Sequence, residues 1–219
     1  MTRRFDPAEI PPTPDLRFEC KLWASGFAAV AGLDEAGRGS WAGPVAAGAV
    51  IFPPRDDLPT LLPKVRDSKQ MTPAERAFWA GEIQAQALAC AVGFASNAEI
   101  DAYGIVPATR LAMERAVAGL AVTPTYLLID ALHLPGLSLP QLSLIKGDAR
   151  ALSIAAASVL AKTTRDAFMC EMASVYPDYG FARHKGYGTS AHSTALERLG
   201  PCAIHRLSFA PVRQAEAPC

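Results

Sequence analysis

FAAVAGLDEAGRGSWAGPVAAGAVIF, residues 27–52, decides the fold. Phe27–Leu33 is a short apolar run, the mark of a buried strand. Pro44–Phe52 is a second. Between them Asp34-Glu35-Ala36-Gly37-Arg38-Gly39-Ser40 makes a tight polar turn. Two strands joined this closely predict a hairpin. Gly37, Gly39 and Gly43 mimic part of a dinucleotide-binding turn, but that turn needs a helix after its glycines. Here Pro44 and a β-like run follow, so the rival is weak.

Downstream, Thr72-Pro73-Ala74-Glu75 carries a capping residue, a proline at the first helical position and a box-closing glutamate. It predicts a helix to about Leu88, then a strand over Ala89–Ala95. Ser96-Asn97-Ala98-Glu99 opens a second, shorter helix, and Ala108–Leu120 is amphipathic. Tyr126–Ile129 and Leu142–Ile145 read as short strands. Ala149–Val175 is a long helical pattern whose alanine-rich stretch, Ile154–Ala161, suits close packing on a sheet. A loop over Tyr176–Thr189 and a helix over Ala191–Leu199 complete an α/β fold with helices covering a central sheet. Residues 1–26 are rich in proline and charge and read as a loosely packed extension. Residues 27–212 form the expected domain and residues 213–219 a tail.

Charge excludes the simplest partners. Lys plus Arg number 21 and Asp plus Glu 21, so no bulk electrostatic clamp on nucleic acid is available. Half the residues are hydrophobic, enough for a sizeable core and against a disordered chain. Residues 1–145 hold 12 basic and 15 acidic residues, and residues 146–219 hold 9 and 6. An acidic site and a basic surface are thus free to come from different stretches. Cys20, Cys90, Cys170, Cys202 and Cys219 are odd in number and widely spaced, so a reducing cytoplasm is expected. No apolar run is long enough for a membrane span.

Four acids draw attention. Asp34 and Glu35 end one apolar run, Asp130 ends Tyr126–Ile129, and Asp148 follows Ile145-Lys146-Gly147. Singly, each has a bland reading: a solvated turn for the pair, a turn residue for Asp130, a helix cap for Asp148. Together, strand ends delivering carboxylates make a divalent-metal site possible, because Mg²⁺ prefers oxygen ligands and keeps several waters. Spacing alone leaves their convergence open.

The motifs in order carry a family resemblance. Gly32-Leu33-Asp34-Glu35-Ala36-Gly37-Arg38-Gly39 with Ala42-Gly43-Pro44-Val45 resembles the N-terminal signature of the prokaryotic type 2 ribonucleases H. Asp67-Ser68-Lys69-Gln70, Leu128-Ile129-Asp130 and Lys146-Gly147-Asp148 match later segments of that family. So do Ile154–Ser158, Ala161-Lys162, Tyr179-Gly180-Phe181, His184-Lys185-Gly186-Tyr187 and His205-Arg206-Leu207-Ser208-Phe209. The resemblance spans roughly residues 27–212. One departure stands out: the family usually has glycine after the third acid, and this chain has Ala131.

The resemblance implies a ribonuclease H-like fold, with a mixed five-stranded sheet flanked by helices and additional C-terminal helices. It implies an endonuclease that cleaves the RNA strand of RNA–DNA hybrids and duplex DNA 5′ to embedded ribonucleotides. Asp34, Glu35, Asp130 and Asp148 would hold two Mg²⁺ or Mn²⁺ ions. Gly37, Arg38 and Gly39 would read the 2′-hydroxyl, the group that separates RNA from DNA. Tyr187 would set its ring against the neighbouring deoxyribose. Ser68, Lys69 and Lys162 are the phosphate candidates. His184, Lys185 and Arg206 are weaker candidates for lining the duplex groove, while His133 and His192 read as surface residues. Products would carry a 3′-hydroxyl and a 5′-phosphate, and a cytoplasmic monomer serving ribonucleotide removal in replication and repair is expected. A non-catalytic nucleic-acid-binding domain on the same fold is the alternative, and the presence of all four acids argues against it. Type 3 ribonuclease H is the nearest family competitor; it would carry a longer N-terminal substrate-binding domain.

Overall fold

The computed structural model describes residues 7 and 10–216. The start of the extension (1–6, 8 and 9) and the end of the tail (217–219) lie outside the described residues. Helix α1 (Arg17–Ala24) leads into the hairpin β1 (Val30–Ala36) and β2 (Val45–Ile51). A short α2 (Leu58–Leu61), α3 (Pro73–Gln86) and β3 (Ala89–Ala95) follow. Then come α4 (Asn97–Tyr103), α5 (Ile105–Ala118), β4 (Tyr126–Asp130) and β5 (Gln141–Leu144). The chain closes with the long α6 (Leu152–Val175), α7 (Phe181–His184), α8 (Ser190–Leu199) and α9 (Ala210–Glu216).

The strands form one mixed sheet in the order β3-β2-β1-β4-β5. The first three are antiparallel neighbours, whereas β4 runs parallel to β1 and β5 parallel to β4. Strand alternation splits the core. Val45, Ala47, Ala49 and Ile51 pack with Ala112, Met113 and Ala116 of α5, while Val50 packs with Ala155, Ala156 and Ala157 of α6. A Cβ on Gly32 would sit 2.2 Å from the Ser153 carbonyl carbon, and one on Gly48 2.3 Å from the Ala157 oxygen. The small-residue stretch of α6 thus lies against glycines, as its composition predicted. Both capping boxes form, Thr72 with Glu75 and Ser96 with Glu99.

Three boundaries differ from expectation, and each bears on function. Strand β1 is displaced toward the C-terminus and contains Asp34 and Glu35, because pairing with β2 continues to Ala36↔Ala46. Asp148 does not cap α6: it lies in a 3₁₀ turn, Gly147–Ala149, and the helix N-cap is Ala151. Residues 15–24 are not loose. Asp15 bridges Ala151, and the buried Glu19 carboxylate accepts from the Ser153 N–H and hydroxyl, at 2.9 and 2.6 Å. Leu16 is buried and Phe18, Leu22 and Trp23 pack on the core, so the short Phe18–Trp23 patch of the sequence joins this polar tie in holding the segment.

Candidate active site

Parallel pairing sets the acids side by side. Leu33 is in register with Ile129, so Asp34, two residues before the end of β1, lies next to Asp130, the last residue of β4. The Gly147 N–H donates to Asp130 Oδ1 at 2.6 Å, which brings the turn bearing Asp148 to the same edge. Asp34 is 3% exposed and accepts a hydrogen bond from Ser158 on α6. Ser158 Oγ in turn lies 2.9 Å from Ser68 Oγ. Arg38 Nη1 donates to Glu35 Oε1 at 3.2 Å.

Crowding raises the proton affinity of this edge. Burial first, then Glu35, Asp130 and Asp148, hold the Asp34 carboxyl well above its ordinary range. Burial pushes Asp130 up against the opposing Gly147 hydrogen bond. Burial and then Asp130 lift Asp148 to about 6. Partial burial disfavours the Lys69 ammonium, but Asp67, Asp34, Asp148 and Glu35 outweigh it and hold its pKa up.

Mutually repelling, partly dehydrated carboxylates are what a divalent cation neutralises. Glu35 Oε2 fits the same need, since it is buried without a hydrogen-bond partner among the described residues. The donor set is all oxygen, as Mg²⁺ and Mn²⁺ prefer. Among the described residues no three acids, histidines or cysteines close into a ready-made cage. The orphaned Glu35 oxygen and the all-oxygen donor set fit such an ion, and waters would have to complete its coordination.

Beside the acids lies a cleft of about 410 Å³. Its walls include Glu35, Gly37, Arg38, Gly39, Ser68, Lys69, Lys162 and Tyr187, so the structure brings these predicted residues together. Gly37 has φ +92°, and a Cβ there would lie 2.0 Å from Arg165 Nε. A Cβ on Gly39 would meet open space. Lys162 Nζ bonds Asp166 at 2.7 Å and sits 5.0 Å from the Tyr187 ring centroid. Ser68 lines the cleft although its hydroxyl points inward to Ser158.

Two groove candidates require correction. Arg206 is fully buried, and its guanidinium donates to the carbonyls of Gly37, Arg38, Gly43 and Pro44. His184 is buried, with Nε2 2.7 Å from the Tyr179 carbonyl. Lys185 is only partly buried, and its ammonium contacts the Ala182 carbonyl. His133 is exposed as expected, but His192 is buried. Sequence reasoning passed over Arg76, which lines the cleft and bonds Ser68 O and Asp166. It also passed over Arg165, buried and donating to the carbonyls of Ala42, Pro44 and Lys185. The one available signal was a second cation three residues after Lys162 in an apolar helix.

Sheet order and flanking helices are those of the ribonuclease H-like class. Ribonuclease H2 from Pyrococcus horikoshii OT3 superposes with a TM-score of 0.73 at 24% identity, covering 86% of this chain and 97% of that one. Bst-RNase HIII, solved in complex with Mn²⁺, gives 0.68 at 19% identity, over 85% and 68%. The Ribonuclease HII family model matches residues 31–212. Ribonuclease HII of Desulfitobacterium hafniense (strain Y51) is 53% identical over 199 residues, 91% of this chain and 75% of its own. That of Chloroflexus aurantiacus (strain ATCC 29364 / DSM 637 / Y-400-fl) is 52% identical over 203 residues, 92% and 96%. The chain belongs to the ribonuclease HII family.

Proposed function

We propose that this enzyme cleaves the RNA strand of RNA–DNA hybrids and duplex DNA 5′ to an embedded ribonucleotide, leaving 3′-hydroxyl and 5′-phosphate ends. The observation that carries this reading is a single cleft that Glu35 shares with the Gly37–Gly39 turn and Tyr187. Asp34, Glu35, Asp130 and Asp148 would hold two divalent ions, Mg²⁺ or Mn²⁺. When bound, such ions activate water for in-line attack and neutralise charge on the leaving 3′ oxygen.

The remaining work falls to the protein's own groups. The inward-turned carbonyls of Gly37 and Arg38 hold the turn rigid, so its cleft side can gauge the 2′-hydroxyl edge of one sugar. Arg38, beside Glu35, and Lys69, beside the acids, orient the phosphate. Lys162 and the Tyr187 ring form the wall that meets the next, deoxyribose sugar, where a 2′-hydroxyl would clash. Removal of misplaced ribonucleotides from replicated DNA is the role this chemistry serves. The four described cysteines are free thiols, in keeping with a monomer working in the reducing cytoplasm. Among the described residues no helix is long and apolar enough to cross a membrane.

The test is a labelled duplex with one embedded ribonucleotide, incubated with and without Mg²⁺. Metal-dependent cutting on the 5′ side of the ribonucleotide is expected. An intact strand with folded protein and either Mg²⁺ or Mn²⁺ would overturn the proposal.

A further inference from the structure

Three buried histidines lie behind Tyr187, and the shortest of their hydrogen bonds favour one protonation pattern. The Cys202 N–H donates to His205 Nδ1 at 2.9 Å. His205 Nδ1 also lies 3.1 Å from Cys202 Sγ and 3.3 Å from the Cys202 carbonyl, but that carbonyl already accepts from the His205 N–H at 3.0 Å; the shorter amide bond makes Nδ1 the acceptor and puts the His205 proton on Nε2. His205 Nε2 lies 3.0 Å from His192 Nε2, which must therefore accept. The His192 proton then sits on Nδ1 and is donated to the Tyr187 carbonyl at 3.0 Å. His184 obeys the same logic separately: Nδ1 accepts from the Gly186 N–H at 3.2 Å, and Nε2–H donates to the Tyr179 carbonyl. Its ring stacks on His192, with centroids 4.4 Å apart and planes 12° from parallel.

We infer that His205 and His192 form a directional relay that positions Tyr187, making both histidines positioning residues for recognition of the deoxyribose next to the ribonucleotide. The inference rests on the role proposed above for Tyr187. The relay runs from the Cys202 amide through two imidazoles to the Tyr187 carbonyl. The opposite side is tied as tightly. Tyr187 pairs with Ser40, Trp41 N–H donates to the Gly186 carbonyl at 2.8 Å, and Ala42 pairs with His205. The turn that gauges the 2′-hydroxyl and the ring that gauges the next sugar are thus held in one frame. Burial, the largest cause, pushes His192 and His205 down to about 4, so the neutral pattern persists at neutral pH. A side chain displaced by a fraction of an ångström from a sugar edge loses discrimination more than binding.

Two measurements test this. In the intact protein at pH 7, ¹⁵N-detected imidazole spectra should give Nδ1–H for His192 and Nε2–H for His205. A cationic ring, or the opposite tautomer on either, would overturn the relay without any mutation. The second compares kcat/KM on a single-ribonucleotide duplex with that on a uniform RNA–DNA hybrid. His192→Phe should lower this ratio by about tenfold, with the smaller effect on KM. His192→Asn, whose amide N–H overlays Nδ1 and still reaches the Tyr187 carbonyl, should recover most of it. His192→Gln, which overlays Nε2, should not. Equal ratios in all three variants and the parent would sink the inference. Tyr187→Ala separates the two levels: an unchanged ratio there refutes the role of Tyr187 itself, and a lowered one isolates the relay as the part at fault.

Discussion

Ala131 occupies the left-handed region at φ 49°, where related enzymes usually place glycine after the third acid. Its amide donates to the Leu144 carbonyl at 3.0 Å, so the turn is kept despite the Cβ. An alanine held there carries a steric cost of roughly 1–2 kcal/mol, partly offset by the greater freedom glycine would give the unfolded chain. Ala131→Gly should therefore stabilise the protein by about 0.5–1 kcal/mol in urea unfolding with activity intact; destabilisation would show that the turn is not strained. Asp34 presents the opposite case, a native charge opposed by its surroundings. Asp34→Asn should cut turnover about a thousandfold, equivalent to ~4 kcal/mol of barrier, yet raise the melting temperature of the metal-free protein. A lower melting temperature would mean that Asp34 serves the fold instead. The four acids were legible because each sits in a short local motif. Arg165, Arg206 and His192 were not. Arg165 and Arg206 meet backbone partners 121 and 169 residues away, and nothing local to a buried cation or imidazole announces that.

Helix α1 acts on α6 through one carboxyl group. Glu19 fills the N-terminal position that Asp148 leaves vacant, accepting from Ser153 where α6 has no side-chain cap of its own. Burial, only partly offset by these hydrogen bonds, raises Glu19 from 4.5 to about 7. Below pH 4.5 the group is neutral both folded and unfolded. Between 4.5 and about 7 the unfolded chain gives up the proton and the folded chain keeps it, so stability falls as pH rises. Glu19→Gln keeps the accepting oxygen and removes the titration. Its stability relative to the parent should climb by on the order of 3 kcal/mol from pH 4.5 to 7 and level off above that. Urea titrations at pH 5 and pH 8 check this, and a pH-independent difference would refute it. The same helix marks where element-level reading stopped. Capping boxes, the hairpin and the alanine stretch of α6 follow local rules and were legible. An eight-residue helix anchored by a buried glutamate obeys none of them.

Across the whole molecule, equal numbers of acids and bases excluded a bulk clamp on DNA, and the structure sharpens what remains. The basic excess after residue 145 is smaller at the surface than in the sequence, because Arg165 and Arg206 are buried and spend their donors on backbone carbonyls. Among the described residues the cations lining the cleft beside Glu35 are Arg38, Lys69, Arg76 and Lys162, and the last two are already paired with Asp166. Each phosphate neutralised contributes about −0.9 to the slope of log K against log salt. Duplex binding by the inactive Asp34→Asn protein, followed by fluorescence anisotropy at fixed Mg²⁺, should therefore give a slope of about −3 to −4. Lys69→Ala should make it shallower by about 1, equally for duplexes with and without a ribonucleotide, because a phosphate contact carries no sugar information. Gly37→Ala should instead lower affinity for the ribonucleotide duplex alone and leave the slope unchanged, since its Cβ would collide with Arg165 and distort the gauge without removing a charge. A slope near −8 would place the duplex on a surface other than this cleft.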